Sequence, residues 1–211
     1  MSVPAASYLE QRDQWPSSGK HILAHYDAET IVVYQAYRPS IGRHAIEHGV
    51  FGGEFSYSRM SWVKPNFLWM MYRSGWGTRE GQEVTLGLRL RRQFFDGILA
   101  RAVASSFEQS GSTTHEAWKA DIESSEVRLQ WDPDHDPHGN AVARRAIQLG
   151  LRGPVLEAFG KNELLEVIDM SAFVAEQRQR LMSTGLAQLS TPVERTYISG
   201  EASIAERLKL D

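Results

Sequence analysis

Cations and aromatic rings are interleaved along one stretch of the chain, Ser58 to Gly77, which reads SRMSWVKPNFLWMMYRSGWG. Arginine and lysine bind phosphate oxygens, and indole rings stack on bases or similar flat ligands. We therefore predict a nucleotide site at the two ends of this stretch. The candidates are Arg59, Trp62 and Lys64 before the apolar run, and Arg73, Ser74 and Trp76 after it.

The apolar run itself, Phe67 to Tyr72, has large apolar residues at odd and even positions alike. A strand with two apolar faces is buried in the centre of a sheet. We therefore predict that this run is a central strand and belongs to the core.

Several other segments have the pattern of strands. Val84, Leu86 and Leu88 alternate with more polar neighbours, which predicts one core face and one cationic face that carries Arg89 and Arg91. Further strands are predicted at 31–37, 126–131, 141–151 and 164–170, and helices at 41–49, 92–108 and 171–182. Several predicted strands follow one another along the chain without a helix between each pair. This order favours an α+β fold, with a mainly antiparallel or mixed central sheet flanked by helices.

The domain prediction is one folded unit at 21–190 with two peripheral segments. Residues 1–20 are polar and contain Pro4, Pro16 and Gly19, so a flexible N-terminal arm is expected. Residues 191–211 show little core-forming periodicity and are expected to be a C-terminal tail.

Composition limits the function classes. The chain of 211 residues contains no cysteine, which excludes thiolate catalysis and disulfides. No signal peptide or membrane span is evident, so we expect a cytoplasmic protein without a membrane partner. The net charge of the chain is -3, yet the segment from Arg59 to Arg101 contains eight basic residues and only three acidic ones. A locally basic region on an acidic chain favours a discrete anion, such as a nucleotide or an RNA end.

Longer motifs carry a family resemblance over about residues 21–185. The chain contains VYQAYRPSIGRHAIEHGVFGG, RMSWVKPNFLWMMYRSGW, GQEVTLGL, VRLQWDPDHDPHG and AIQLGLRG. This combination resembles the family of unknown function called DUF4291. The resemblance implies a single compact cytoplasmic domain and supplies no activity.

A second similarity concerns the reaction. The segment from Val33 to Arg38, followed by a helix and by Gly49-Val50-Phe51, is similar to the opening of ADP-ribosyltransferases. One branch of that superfamily uses an arginine, a serine-containing strand and a glutamate on NAD. The similarity implies catalytic roles for Arg38, Ser56 and Glu83, and an ADP-ribosyltransferase-like fold. It also implies that NAD is bound by Gln35, Tyr37, Tyr57, Arg59, Trp62, Lys64 and Arg73.

The expected function is therefore the transfer of ADP-ribose from NAD to a nucleic-acid or protein acceptor. A carboxylate such as Glu83 would stabilise the positive charge that develops on the ribose, and Arg38 would bind the pyrophosphate. The alternative is a non-catalytic binder of single-stranded nucleic acid or RNA, through Arg89 and Arg91 and the tryptophans. The sequence leaves the oligomeric state open.

Two other patterns were considered as metal sites, and no metal is predicted. His44 and His48 lie one helical turn apart in HAIEH, a spacing that exposed helix faces often show. The acidic loop from Asp132 to His138 could hold a cation, but its Asp-Pro and His-Gly steps favour a hairpin connection.

Overall fold

The strands expected from alternating apolar residues are present in the computed structural model, which describes residues 2–211. The chain folds as one α+β domain in which helices flank an antiparallel sheet and a mixed sheet. In chain order the strands are β1 (Ala5–Ser7), β2 (Gly19–Lys20), β3 (Leu23–Tyr26), β4 (Thr30–Tyr37), β5 (Ser61–Val63), β6 (Val84–Arg91), β7 (Val103–Ala104), β8 (Val127–His135), β9 (Ala141–Leu151), β10 (Leu164–Asp169), β11 (Ser190–Pro192) and β12 (Arg195–Thr196). The α-helices are α1 (Tyr8–Arg12), α2 (Pro39–His48), α3 (Phe67–Ser74), α4 (Arg92–Arg101), α5 (Phe107–Ser110), α6 (His115–Ser124), α7 (Gly153–Glu157), α8 (Ser171–Thr184) and α9 (Ala202–Leu208). A π-helical turn covers Ala158–Asn162 and a 3-10 turn covers Gly185–Gln188.

The first large sheet is antiparallel, with strand order β10-β6-β4-β3-β12. Its centre is the pair of β4 and β6, in which Val33 lies opposite Leu88 and Gln35 opposite Leu86. The second sheet has the order β2-β9-β8-β7, and β5 also pairs with β9. It is mixed, because β2 runs parallel to β9 and β7 runs parallel to β8.

The first sheet is buried on both faces. On one face Val33 and Leu88 join a core that includes residues of the second sheet such as Leu149. On the other face Val32 and Tyr34 join a second core with α3. Both faces of β4 are therefore apolar, which explains the continuous apolar run in its sequence.

Strand β5 connects the two sheets. Its residues pair with β9 in the second sheet, with Val63 opposite Leu149. At the next residue, the Lys64 N–H donates to the Tyr34 carbonyl at 3.2 Å and the Tyr34 N–H donates to the Lys64 carbonyl at 2.7 Å. One short segment is thus bonded to the second sheet and then to the first.

The prediction that Phe67 to Tyr72 forms a strand is wrong, because these residues lie in helix α3. The Asn66 side chain caps the helix by accepting a hydrogen bond from the Trp69 N–H at 2.7 Å, and Gly75 ends it in a left-handed conformation. Residues 67–71 are all buried, because α3 packs between β4 of the first sheet and β8 of the second. A helix enclosed in this way is apolar all round, and its sequence resembles that of a buried strand.

The predicted helix at 92–108 is shorter than expected. Helix α4 ends at Arg101 because Ala102 is extended, and the following β7 pairs with β8. The hairpin prediction for the acidic loop is confirmed, since β8 and β9 are antiparallel neighbours joined across Asp136 and Asn140.

The structure contradicts the prediction of a loose N-terminal arm. Val3, Tyr8 and Trp15 are buried, and β1 pairs with β11. The Gln11 side chain donates to the backbone carbonyl and to the hydroxyl of Thr191, at 3.1 and 2.9 Å. These contacts join positions far apart in sequence, so no local pattern could reveal them.

The predicted C-terminal tail is also part of the fold. Strands β11 and β12 and helix α9 lie within 190–208, and Tyr197, Ile204 and Leu208 are buried. Glu194 is buried as well, and its carboxylate accepts a hydrogen bond from the Phe67 N–H at 2.8 Å. The tail therefore helps to hold the first turn of α3.

Within residues 2–211, no helix combines the length and the apolar character that a membrane span requires.

Burial raises the pKa of Glu194 well above its usual value of 4.5. The folded chain therefore holds a proton there that the unfolded chain releases as the pH rises through 4.5, so Glu194 lowers stability as the pH increases. We expect Glu194→Gln to increase the free energy of unfolding at pH 7 and to have little effect at pH 4, as measured by chemical denaturation. Glu80→Gln, at an exposed position, is the control. A loss of stability at pH 7 would contradict a protonated Glu194.

Candidate functional site

A groove with two adjoining halves lies where β4, β5 and the segment before β5 meet. The outer half has a volume of about 340 Å³ and the inner half about 230 Å³. Tyr37, Met60 and Ser61 line both halves, so the two halves adjoin on either side of these residues. The N-terminal end of α2 borders the outer half, and α3 borders the inner half.

The outer half contains two arginines with different surroundings. Arg38 forms an ion pair with Glu54 at 2.6 Å, and Glu54 also accepts a hydrogen bond from the Ser40 hydroxyl at 2.9 Å. Arg59 is exposed and forms no hydrogen bond or ion pair with any other residue of the described chain. Ser56 lines the same half. The outer half thus offers one guanidinium that is held in place and one that is available to an anion.

A hydrogen-bond network forms the boundary between the halves. Ser61 Oγ lies 2.7 Å from Tyr37 Oη and accepts a hydrogen bond from Gln35 Nε2 at 2.8 Å. Gln35 Nε2 also donates to the Trp62 carbonyl at 3.0 Å. Gln35 Oε1 is buried and accepts no hydrogen bond within residues 2–211. A buried acceptor without a donor is destabilising by about 1–3 kcal/mol, so a ligand N–H or O–H at this point would remove that penalty.

The inner half is lined by Trp62, Lys64 and Arg73, together with Gln35 and Gln82. Trp62 packs directly on the backbone of β9: a Cβ atom at Gly150 would lie 3.0 Å from its ring. Trp62 and Lys64 are two residues apart in an extended segment and therefore project from the same side. Arg73, in the last turn of α3, is exposed and makes no hydrogen bond or ion pair in the part of the chain that the structure describes.

Lys64 has an unusual environment for a lysine, because only 6% of its surface is exposed. Its Nζ forms no hydrogen bond or ion pair with the other described residues. Burial lowers the pKa of Lys64 from 10.5 to about 8, the nearby charge of Arg73 lowers it too, and Asp132 opposes both effects. The two oxygens of Asp132 already accept hydrogen bonds from Gln130 and Gln148, each at 2.8 Å. A substantial fraction of Lys64 is therefore uncharged near pH 8.

Most of the residues predicted from the sequence lie together in this groove. They are Gln35, Tyr37, Arg38, Ser56, Arg59, Trp62, Lys64 and Arg73. Four predicted residues do not line it: Tyr57, Ser74, Trp76 and Glu83. Ser74 is buried and accepts a hydrogen bond from the Gly77 N–H, and Trp76 donates to the Pro137 carbonyl beside a separate cavity. Glu83 is exposed at the start of β6, where it accepts a hydrogen bond from the Gly81 N–H, although the preceding residue Gln82 lines the inner half. Tyr57 donates to the Phe51 carbonyl and packs beneath Lys161, whose Nζ lies 4.7 Å from the ring centre.

Sequence reasoning missed Glu54 and Ser61. Glu54 follows a glycine pair in a loop, where an acidic residue has no distinctive pattern, and its proximity to Arg38 depends on the fold. Ser61 opens a strand of three residues that is too short for a periodic signal.

The cationic face of β6 is neutralised by carboxylates. Arg89 pairs with Glu166 at 2.9 Å and Arg91 pairs with Glu163 at 3.2 Å, both across the β6–β10 region. The positive charge of this strand is therefore already compensated within the fold.

The imidazoles of His44 and His48 stack on each other, with 4.1 Å between ring centres. Among the residues that the structure describes, no three His, Asp or Glu side chains are grouped so that they could hold a metal ion.

The chain matches a known family model over most of its length. Residues 21–197 match the model of a family described as Domain of unknown function (DUF4291). No curated protein matches the chain.

The low pKa of Lys64 predicts a measurable effect on stability. Its folded pKa of about 8 lies below the unfolded value of 10.5, so folding releases a proton between pH 8 and 10.5 and the stability of the protein rises over that range. We expect Lys64→Met to increase the free energy of unfolding at pH 7 by up to about 3 kcal/mol, since one pKa unit corresponds to about 1.4 kcal/mol. The rise between pH 8 and 10.5 should be smaller in this variant.

Denaturation curves across this pH range test the effect, with the exposed Lys119→Met as the matched control. A destabilised Lys64→Met at pH 7 would mean that the ammonium has a stabilising partner in the fold.

Proposed function

The chain belongs to the DUF4291 family, and we propose that it is a nucleotide-utilising transferase that binds NAD in the groove and transfers ADP-ribose to an acceptor. The observation that carries this proposal is the gathering of cations and an indole ring around a single groove. Arg59 and Arg73 have no carboxylate partner among residues 2–211, and Lys64 and Trp62 line the inner half together with Arg73.

The outer half suits the pyrophosphate. A guanidinium binds phosphate oxygens through two parallel hydrogen bonds, and Arg38 and Arg59 both line this half. Glu54 holds Arg38 in position, which reduces the ordering that binding requires. Arg38 and Arg59 are thus the proposed pyrophosphate ligands, and the Ser56 hydroxyl is available to a ribose hydroxyl.

The inner half suits the nicotinamide end of NAD. Trp62 offers an aromatic surface that is fixed against β9, and Gln35 also lines this half. In this arrangement the reacting ribose lies near Tyr37 and Ser61, where the halves meet.

Cleavage of the nicotinamide–ribose bond builds positive charge on the ribose, and a nearby carboxylate stabilises that charge. Glu83 was the expected carboxylate, but Glu54 is the one that lines the groove. We therefore assign this role to Glu54 in the proposed reaction.

Binding of single-stranded RNA is the competing function, and it has less support. The arginines expected to carry it, Arg89 and Arg91, are paired with Glu166 and Glu163. A groove with unpaired cations at both ends fits a short anionic ligand better than a continuous strand.

In the proposed complex Arg59 contributes to the affinity for NAD. Arg59→Gln should weaken NAD binding about tenfold, because a hydrogen bond to a charged group contributes about 1.5–3 kcal/mol. Titration calorimetry at low salt measures the effect. Arg79→Gln is the matched control, since Arg79 is exposed and does not line the groove.

An equal loss of NAD affinity in both variants would indicate non-specific electrostatic attraction. A salt-sensitive affinity for short RNA without NAD binding would favour the competing function.

In the proposed reaction Glu54 determines the rate at which nicotinamide is released from NAD. Glu54→Gln should lower the rate of nicotinamide release by about 10²–10³, the usual effect of removing one group that stabilises the transition state. Glu83→Gln should leave the rate nearly unchanged, because Glu83 lies outside the groove. Both rates are measured with saturating NAD. The opposite ranking would place the ribose at the Glu83 end of β6.

A further inference from the structure

The groove contains few groups that can accept a proton. Among the described residues that line it, the candidates are Tyr37, Glu54 and Lys64, and no histidine is present. Burial raises the pKa of Tyr37, so its hydroxyl stays protonated at neutral pH. Glu54 is engaged by Arg38 and Ser40. The remaining candidate is the amine of Lys64.

The amine of Lys64 is chemically uncommitted. Its Nζ has no hydrogen-bond partner within residues 2–211, and the oxygens of Asp132 are bonded to Gln130 and Gln148 instead. The positive charge of Arg73, on the adjacent helix, opposes protonation. A buried amine beside a second cation is the usual arrangement for a lysine that acts as a base rather than as a charge.

The position of Lys64 matches that of a base for the acceptor. Lys64 projects from the same side of its segment as Trp62, on which the nicotinamide end of NAD is proposed to lie, and both line the inner half. An acceptor that enters the inner half therefore meets Lys64 beside the reacting ribose.

We propose that Lys64 is the general base that removes the proton of the acceptor hydroxyl during transfer. This inference rests on the NAD-dependent transfer proposed above. The bond from ribose C1′ to the nicotinamide nitrogen breaks first, and its bonding pair leaves with nicotinamide. The acceptor oxygen then forms a bond to C1′ from the inner half that nicotinamide has vacated. The hydroxyl proton moves to Nζ of Lys64, which becomes an ammonium and then returns the proton to solvent.

Chemical labelling tests the amine without any turnover. Acetic anhydride is applied from pH 6 to pH 10 and the modified peptides are quantified by mass spectrometry. We expect Lys64 to be acetylated with a midpoint near pH 8 and to be protected by NAD, with the exposed Lys119 as the labelling control that NAD does not protect. A Lys64 that remains unlabelled until pH 10, or that NAD does not protect, would overturn the proposal.

Two substitutions of Lys64 show whether its side chain acts by accepting a proton or by its positive charge. Lys64→Arg keeps the positive charge but cannot accept a proton, whereas Lys64→Met removes both properties. The measurements are NAD affinity and the pH profile of nicotinamide release, with water and with a short RNA as the hydroxyl source. We expect both variants to bind NAD and to lose about 10²–10⁴ in kcat, the usual contribution of a general base. The wild-type rate should rise with pH up to about 8.

Two other outcomes distinguish an error in the role of Lys64 from an error in the proposed transfer reaction. If Lys64→Arg stays active while Lys64→Met loses NAD affinity, Lys64 is a phosphate-binding cation and the base assignment is wrong. If the wild type binds NAD but releases no nicotinamide at any pH, the transfer reaction itself is wrong, and the role of Lys64 falls with it.

Discussion

The pair of backbone hydrogen bonds between Lys64 and Tyr34 is the constraint on which the rest of the site depends. Residues 61–63 are paired with β9 in the second sheet, and Lys64 is paired with β4 in the first. Successive side chains of an extended segment point to opposite sides. Val63 points into the core shared by the sheets, so Trp62 and Lys64 point to the other side. The ammonium is buried because the backbone that carries it is fixed at both sheets.

The chain termini contribute to the same rigidity. Helix α3 starts three residues after Lys64, and its first turn is held by Asn66 and by the buried carboxyl of Glu194. Glu194 is in turn fixed by Gln11, which accepts a hydrogen bond from its backbone N–H at 2.9 Å. Arg73 at the far end of α3 therefore depends on contacts from both ends of the chain. A site built on fixed strands and a capped helix holds its groups in place before a ligand arrives.

The parts of this structure that could be predicted from sequence are those with local causes. Alternation revealed β6, β8, β9 and β10, and the interleaving of cations with tryptophans revealed one rim of the groove. Helix α3 was misread because burial on all sides removes the 3.6-residue pattern, although Asn66 and Gly75 mark its two ends. The terminal segments and Glu54 were missed because their contacts are long-range, as in the bond between Gln11 and Thr191. The burial of Lys64 has no sequence signal, since it follows from the meeting of two sheets.

The electrostatics of the groove set limits on how it can be used. A phosphate placed against Lys64 would favour its charged form and raise its pKa, so one lysine cannot both bind the pyrophosphate and remain a base. In the proposed reaction Arg38 and Arg59 supply guanidinium groups for that anion in the outer half, and Lys64 in the inner half stays beside the positive charge of Arg73. The proposal thus assigns anion binding and proton transfer to different halves of the groove. Burying the charged form of Lys64 lowers stability at neutral pH, and such a residue is typical of a site retained for function rather than for folding.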